Sequence, residues 1–162
     1  MRVILPPALL LLVFFLLPAT ASAWQAEVVE VKDARTLLVQ TNGESRTVFL
    51  YGIGVPEGEE PYARQAESLV TDSVGRKEVN VQRLGSGQKI KALVYAAGRE
   101  DSLNEELLAS GLAWVHDAYC EKARLCGRLE QIEAAARKEG KGLWAEVPEN
   151  MPAWKWVREA DN

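Results

Sequence analysis

The chain has a single histidine, His116, and two cysteines in 162 residues. That scarcity removes the imidazole and thiolate clusters on which zinc and other transition-metal sites are built. A surplus of positive charge is missing as well: 19 Lys and Arg stand against 23 Asp and Glu, a net charge of −4. Proteins that coat nucleic acid through bulk charge need the opposite balance, although a local basic patch stays open. There is no internal repeat and no low-complexity stretch, so one domain with one core is expected.

Charge is also absent from Val3 to Leu17, an apolar run that follows Met1-Arg2 and contains Pro6 and Pro7. The run is short for a full membrane span, and Ala21-Ser22-Ala23 after it is a small-x-small cleavage site. A signal peptide over residues 1–23 is therefore expected, with Trp24 as the first mature residue; the alternative is an uncleaved anchor. Cleavage removes one Arg and no acid, leaves no stable membrane span, and makes the protein periplasmic or secreted. Outside the cytoplasm Cys120 and Cys126 meet an oxidising environment, and a disulfide between them is expected.

Asn42-Gly43, between the runs Thr36–Val39 and Thr47–Leu50, signals a tight hairpin, because both central residues of a type I′ turn need positive φ. With Val28–Val31 ahead of them, these runs make a three-stranded meander. Gly52, Gly54 and Pro56 end it, and residues 57–60 read as an acidic loop. Pro61 opens a helix that Ala66, Leu69, Val70 and Val74 carry at helical spacing to Gly75. Strands over Glu78–Leu84 and Ile90–Ala96 follow. A short helix starts near Ser102 and meets Gly111, and a longer one runs from about Glu121 to Lys138. The fold class is α+β: a five-stranded OB-fold Greek-key β-barrel with three α-helices.

Four segments carry a resemblance in order and spacing. Leu103-Asn104-Glu105 and Gly111-Leu112-Ala113 belong to a stretch similar to the Asn-Glu and Gly-Leu-Ala segment of the staphylococcal nuclease (thermonuclease-like) family. Pro61-Tyr62-Ala63 resembles that family's first-helix opening, and Gly142-Leu143-Trp144 its Gly-Leu-Trp close. Pro152-Ala153-Trp154-Lys155-Trp156 is similar to the tail of exported bacterial members, which often carry two cysteines where Cys120 and Cys126 stand. The likeness spans about residues 25–158. It implies an SNase-like OB-fold domain over residues 24–147, with a tail over 148–162 that packs on it.

Active members of that family hold one calcium ion with two aspartates, grip the phosphate with two arginines and place a glutamate near the attacking water. The chemistry suits those residues, since a hard cation needs oxygen ligands and a phosphoryl group gathering charge needs fixed donors. Here the family's Asp-Gly-Asp-Thr reads Asp33-Ala34-Arg35-Thr36, so a guanidinium replaces one calcium ligand. Phe49 stands for the first arginine and Gly54 for the other aspartate, while Glu57 keeps the glutamate. Lys89 stands for the second arginine, with the charge but without the planar fork. No metal cofactor is therefore expected. Glu57 is the candidate catalytic carboxylate, and Arg35 and Lys89 are the candidate phosphate-binding residues.

Each of these has a plainer alternative. Glu57, Glu59 and Glu60 with Asp33 offer carboxylates for another metal, but also make an ordinary solvated loop. Arg35 and Lys89 form a phosphate cradle or are exposed charges at strand ends. His116 is a general base or, more commonly for such a residue, a surface group capping a carbonyl or pairing with Asp117. Trp114, Trp144, Trp154 and Trp156 stack bases or pack, with Trp144 over the core and the last two folded back on the barrel.

Three functions compete. The first is a catalytically impaired nuclease-fold module that binds single-stranded nucleic acid, a nucleotide or a protein. The second is an active phosphodiesterase with a site rebuilt around Glu57, Arg35 and Lys89. The third is a monomeric scaffold for an envelope protein partner.

Overall fold

The computed structural model describes residues 23–148 and 151–160, and the remainder of the expected leader lies outside them. Alternation of apolar residues builds the sheet. Strand β1 (Ala23–Asp33) buries Ala26 and Val28, β2 (Thr36–Thr41) buries Leu37 and Val39, and β3 (Glu44–Leu50) buries Val48 and Leu50. The turn joining β2 to β3 has Asn42 at φ 49° and Gly43 at φ 80°, the positive-φ pair a type I′ hairpin requires. Two further strands, β5 (Glu78–Leu84) and β6 (Ile90–Ala96), follow the first helix. The sheet closes as a barrel in the order β1-β2-β3-β6-β5, with every neighbour antiparallel except β3 and β6.

Between β3 and β5 lie the two-residue strand β4 (Ile53–Gly54) and helix α1 (Ala63–Val74), which buries Ala63, Ala66, Val70 and Val74 along one stripe. The helix begins two residues later than Pro61. Residues 60–63 form a tight turn, with Ala63 N–H donating to Glu60 C=O, and Tyr62 sits at φ 67°, outside the helical region.

Helix α2 (Leu103–Ala109) starts with a capping box in which Ser102 and Glu105 satisfy each other's amides. Asn104, fully buried, joins barrel to helix: its amide donates to Tyr51 C=O and Ala92 C=O, and its Oδ1 accepts from Val94 N–H. The helix ends at Gly111, at φ 68°, where a side chain is impossible because a Cβ would lie 2.0 Å from Lys141 C=O. Gly142 crosses the same point from the other side, and Leu143 N–H donates to Gly111 C=O at 2.9 Å. The Gly-Leu-Ala and Gly-Leu-Trp segments are thus two halves of one close backbone crossing.

A second short strand, β7 (Trp114–Val115), pairs with β4 so that Gly54 faces Trp114. Helix α3 (Ala123–Lys138) starts two residues after the expected Glu121, because Glu121 and Lys122 donate their amides to the Tyr51 hydroxyl instead of entering a helix. Cys120 and Cys126 form a disulfide that ties the β7–α3 connection to the first turn of α3.

The tail adds a fourth helix to the three expected, α4 (Ala153–Ala160). It buries Ala153 and Val157 against Trp114, Leu143, Trp144 and Val147, a small core separate from the barrel interior. No described helix is long and apolar enough to cross a membrane.

Candidate functional site

Arg35 is the second residue of the β1–β2 turn, whose shape Asp33 sets by accepting the Arg35 amide on its carboxylate at 2.7 Å. That bond commits one Asp33 oxygen to the backbone. The Arg35 guanidinium then lies over the Tyr119 ring, 4.6 Å from the centroid. His116 stacks with the same ring at 4.2 Å. The disulfide immediately after Tyr119 holds this segment in place, and His116 N–H donates to Gly52 C=O at 3.0 Å to hold its other end. A cation, a phenol and an imidazole from two distant parts of the chain are thereby joined.

Two cavities flank this group. One, of about 330 Å³, is lined by Arg35, Glu57, His116 and Tyr119, with Trp154 and Arg158 from α4 on its other wall. The second, of about 320 Å³, is lined by Arg35 and Tyr119 together with Phe49, Tyr51, Lys89 and Lys91. Arg35 therefore belongs to both, whereas Glu57 and Lys89 share neither. Glu57 is exposed on its loop, where its amide is capped by the Glu60 carboxylate at 2.7 Å. Lys89 is exposed as well, with its ammonium 5.7 Å from the Phe49 ring centroid. Aromatic faces interleaved with cations of this kind suit an unpaired nucleotide, whose phosphate and base need one of each.

Trp114 decides what the cleft can hold. It is buried, and its indole lies in the space a side chain at position 54 would enter: a Cβ on Gly54 would stand 2.5 Å from Trp114 Nε1. Trp114 Nε1 and His116 Nδ1 are both buried without a hydrogen-bond partner. His116 is half-buried against Tyr119 rather than paired with Asp117 at the surface, because the β4–β7 ladder draws it inward.

Behind the cleft a third cavity, of about 490 Å³, is lined by Asp117, Glu133, Arg137 and Trp144. Glu133 accepts the Val115 amide at 2.6 Å. Burial raises its carboxyl above the ordinary carboxylate range, the Val115 N–H and Arg137 partly oppose this, and Glu130 and Asp117 add to it. Arg137 lies over the Trp144 ring at 4.5 Å. Trp144 packs in the small core as expected, and Trp156 lies against Tyr62. Trp154, expected to fold back on the barrel, is instead 43% exposed at the rim between two cavities, since Ala153 and Val157 occupy the buried face of α4.

Tyr119, Tyr51 and Lys91 escaped the sequence reading. Tyr119 had one local signal, its position next to the bonded Cys120; Lys91 read as a strand residue, and Tyr51 as the residue between the end of a strand and the Gly52 break.

A closed OB-type barrel with a cleft of cations and aromatic rings beside the β3–β4 segment defines the class: an α+β nuclease-fold protein. The match to the staphylococcal nuclease homologue family covers residues 47–146, and the chain belongs to that family. It is 29% identical over 154 residues to "Micrococcal nuclease" of Shigella flexneri, covering 90% of this chain and 86% of that one. It is 28% identical over 152 residues to an "Uncharacterized endonuclease" of Haemophilus influenzae, with 93% and 83% covered. To "Protein ParB" of Escherichia coli it is 25% identical over 158 residues, with 90% and 88% covered.

The calcium ion implied by the family resemblance does not fit the residues present. Position 54 has no carboxylate and no room for one, position 35 carries a cation, and Asp33 is engaged with its own turn. Among the described residues no group of three or more His, Cys, Asp and Glu is arranged to hold a metal ion.

Proposed function

We propose that this protein is an exported nuclease-fold module that binds single-stranded nucleic acid or a nucleotide and has lost calcium-dependent cleavage. The observation that carries the reading is Trp114 filling the side-chain space of Gly54 while Arg35 stands at the other expected carboxylate. An ion-binding cleft has become a cation-bearing one, which favours a phosphate bound directly. Arg35, Lys89 and Lys91 supply charge for the backbone, and Tyr119, Phe49 and Tyr51 supply aromatic surface for bases. Export is supported by the apolar run Val3–Leu17, the Ala21-Ser22-Ala23 site and a disulfide of a kind that persists outside the cytoplasm. Incubation of the purified chain with single-stranded DNA and millimolar calcium tests it. Binding without turnover is expected; robust cleavage that a chelator abolishes and Glu57→Gln removes refutes it.

A second reading is favoured by one cavity being shared among Arg35, Glu57 and His116: a phosphodiesterase that works without a metal. Its signature is hydrolysis that survives chelation and is lost in the Arg35→Ala, Lys89→Ala double variant.

A further inference from the structure

The tail helix α4 is a wall of the cleft as well as a cover for the small core. Its buried residues are Ala153 and Val157. Trp154 and Arg158, neighbours one turn apart on the same helix, line the 330 Å³ cavity that Arg35 and Glu57 line from the barrel side.

Two guanidiniums therefore reach one cavity from separate elements, the β1–β2 turn and α4. Each rests on an aromatic ring: Arg35 lies 4.6 Å from the Tyr119 centroid, and Arg158 lies 4.9 Å from that of Trp154. Arg158 Nε also donates to Trp154 C=O at 3.2 Å, which fixes the side chain along its own helix. A guanidinium that covers a ring with its face directs its N–H groups outward at the edge, the geometry that phosphate oxygens accept from. Glu57 and Glu60 in the same cavity balance the two cations in number, and the Glu60 carboxylate is drawn to the Glu57 amide at 2.7 Å. Bulk charge does not select the ligand here; oriented donors do.

We propose that Arg158 is a phosphate-binding residue that acts with Arg35 on one phosphate group, so that the tail helix completes the nucleotide site. This rests on the nucleotide reading given above. The cavity is at the small end of the range for ligand pockets, which brings donors on its two walls within reach of a single bound group. The barrel alone then carries half of the site. Arg35 is set by its own turn, and the second guanidinium arrives only when Ala153 and Val157 dock α4 on the small core.

Calorimetric titration of the purified full chain with adenosine monophosphate is the test. Arg158→Ala is expected to weaken binding by about tenfold or more, the usual return on charge-assisted hydrogen bonds, while the Tm stays where it was. Arg158→Gln keeps part of the stem on Trp154 without the fork and should lose as much, which separates phosphate contact from packing of the helix. Lys155→Ala removes a cation from the same helix but outside the cavity, and should leave affinity unchanged. Because both arginines hold one phosphate, the Arg35→Ala, Arg158→Ala double variant should lose less than the product of the two single losses. Full affinity in Arg158→Ala or Arg158→Gln, an equal loss in Lys155→Ala, or losses that simply multiply overturns the proposal. Binding that Arg35→Ala weakens and Arg158→Ala does not leaves the nucleotide reading standing and removes this one alone. If the unaltered protein binds no monophosphate, that reading fails and the Arg158 site fails with it.

Discussion

Gly54 and Trp114 face each other across a two-residue ladder, and the indole of one fills the side-chain space that the other lacks. The pair is mutually dependent, since a carboxylate at position 54 requires the ring to leave. Gly54→Asp alone is expected to cost about 1–3 kcal/mol through overpacking and to gain no response to calcium. Adding Arg35→Asp and Trp114→Ala should give a protein whose Tm rises with calcium, because an ion that binds the folded state alone stabilises it. Thermal melts with and without the ion measure this, and a calcium response in the single variant would contradict it.

Arg35 over Tyr119 makes a different prediction, about geometry rather than charge. A planar guanidinium can rest on the ring and still direct a two-pronged edge at a phosphate, which an ammonium cannot do. Arg35→Ala should weaken nucleotide binding by roughly ten- to a hundredfold, the range for lost charge-assisted hydrogen bonds. Arg35→Lys should recover little of it. Titration calorimetry on the three proteins decides, and full rescue by lysine would mean that charge alone matters.

The buried carboxyl of Glu133 sets a pH dependence. Its folded-state pKa is raised, chiefly by burial, so the folded state holds its proton more tightly than the unfolded chain does. The cost of ionising it is present in full above the raised value. It is relieved as pH falls through that value and is gone below the ordinary carboxylate range. Glu133→Gln can still accept the Val115 amide without a charge, so it should be the more stable protein at neutral pH and lose its advantage in acid. Urea midpoints across that interval are the measurement.

Asn104 holds three backbone groups that no water reaches. Asn104→Ala would orphan Tyr51 C=O and Val94 N–H, while Ala92 C=O keeps its bond from Tyr51 N–H, and a loss of about 2 kcal/mol or more follows from the usual cost of such groups. Chemical denaturation reads it directly. A loss below about 1 kcal/mol would mean that solvent replaces the amide.

Breaking the disulfide frees a short loop, so the entropic gain to the unfolded chain is modest. Changing Cys120 and Cys126 both to Ser should lower stability by about 2 kcal/mol. Because Tyr119 adjoins Cys120, ligand affinity should fall further than stability does, at temperatures where the variant is still folded.

Much of this architecture was legible before any coordinates. The period-two runs, the Asn42-Gly43 turn and the helical spacing of α1 are local signals, and the structure keeps all of them. The tail helix was less visible, because Ala153–Ala160 is short and its buried face is two small residues, Ala153 and Val157. His116 and Trp154 exchanged their expected environments for a related reason: burial depends on what a segment docks against, the β4–β7 ladder for His116 and the face of α4 for Trp154, and a single sequence does not say this.

The sequence by itself determined the barrel, the cysteine pairing and the residues missing from the ion site, since each rests on near-neighbour chemistry or on identity at a position. Tertiary structure alone decided that Trp114 stands in the gap left at Gly54 and that Arg35 rests on Tyr119. It likewise decided that Glu57 and Lys89 open onto different cavities. These are contacts between segments tens of residues apart, made by strand register and helix docking. The physical reason is that they form only when the whole core is packed.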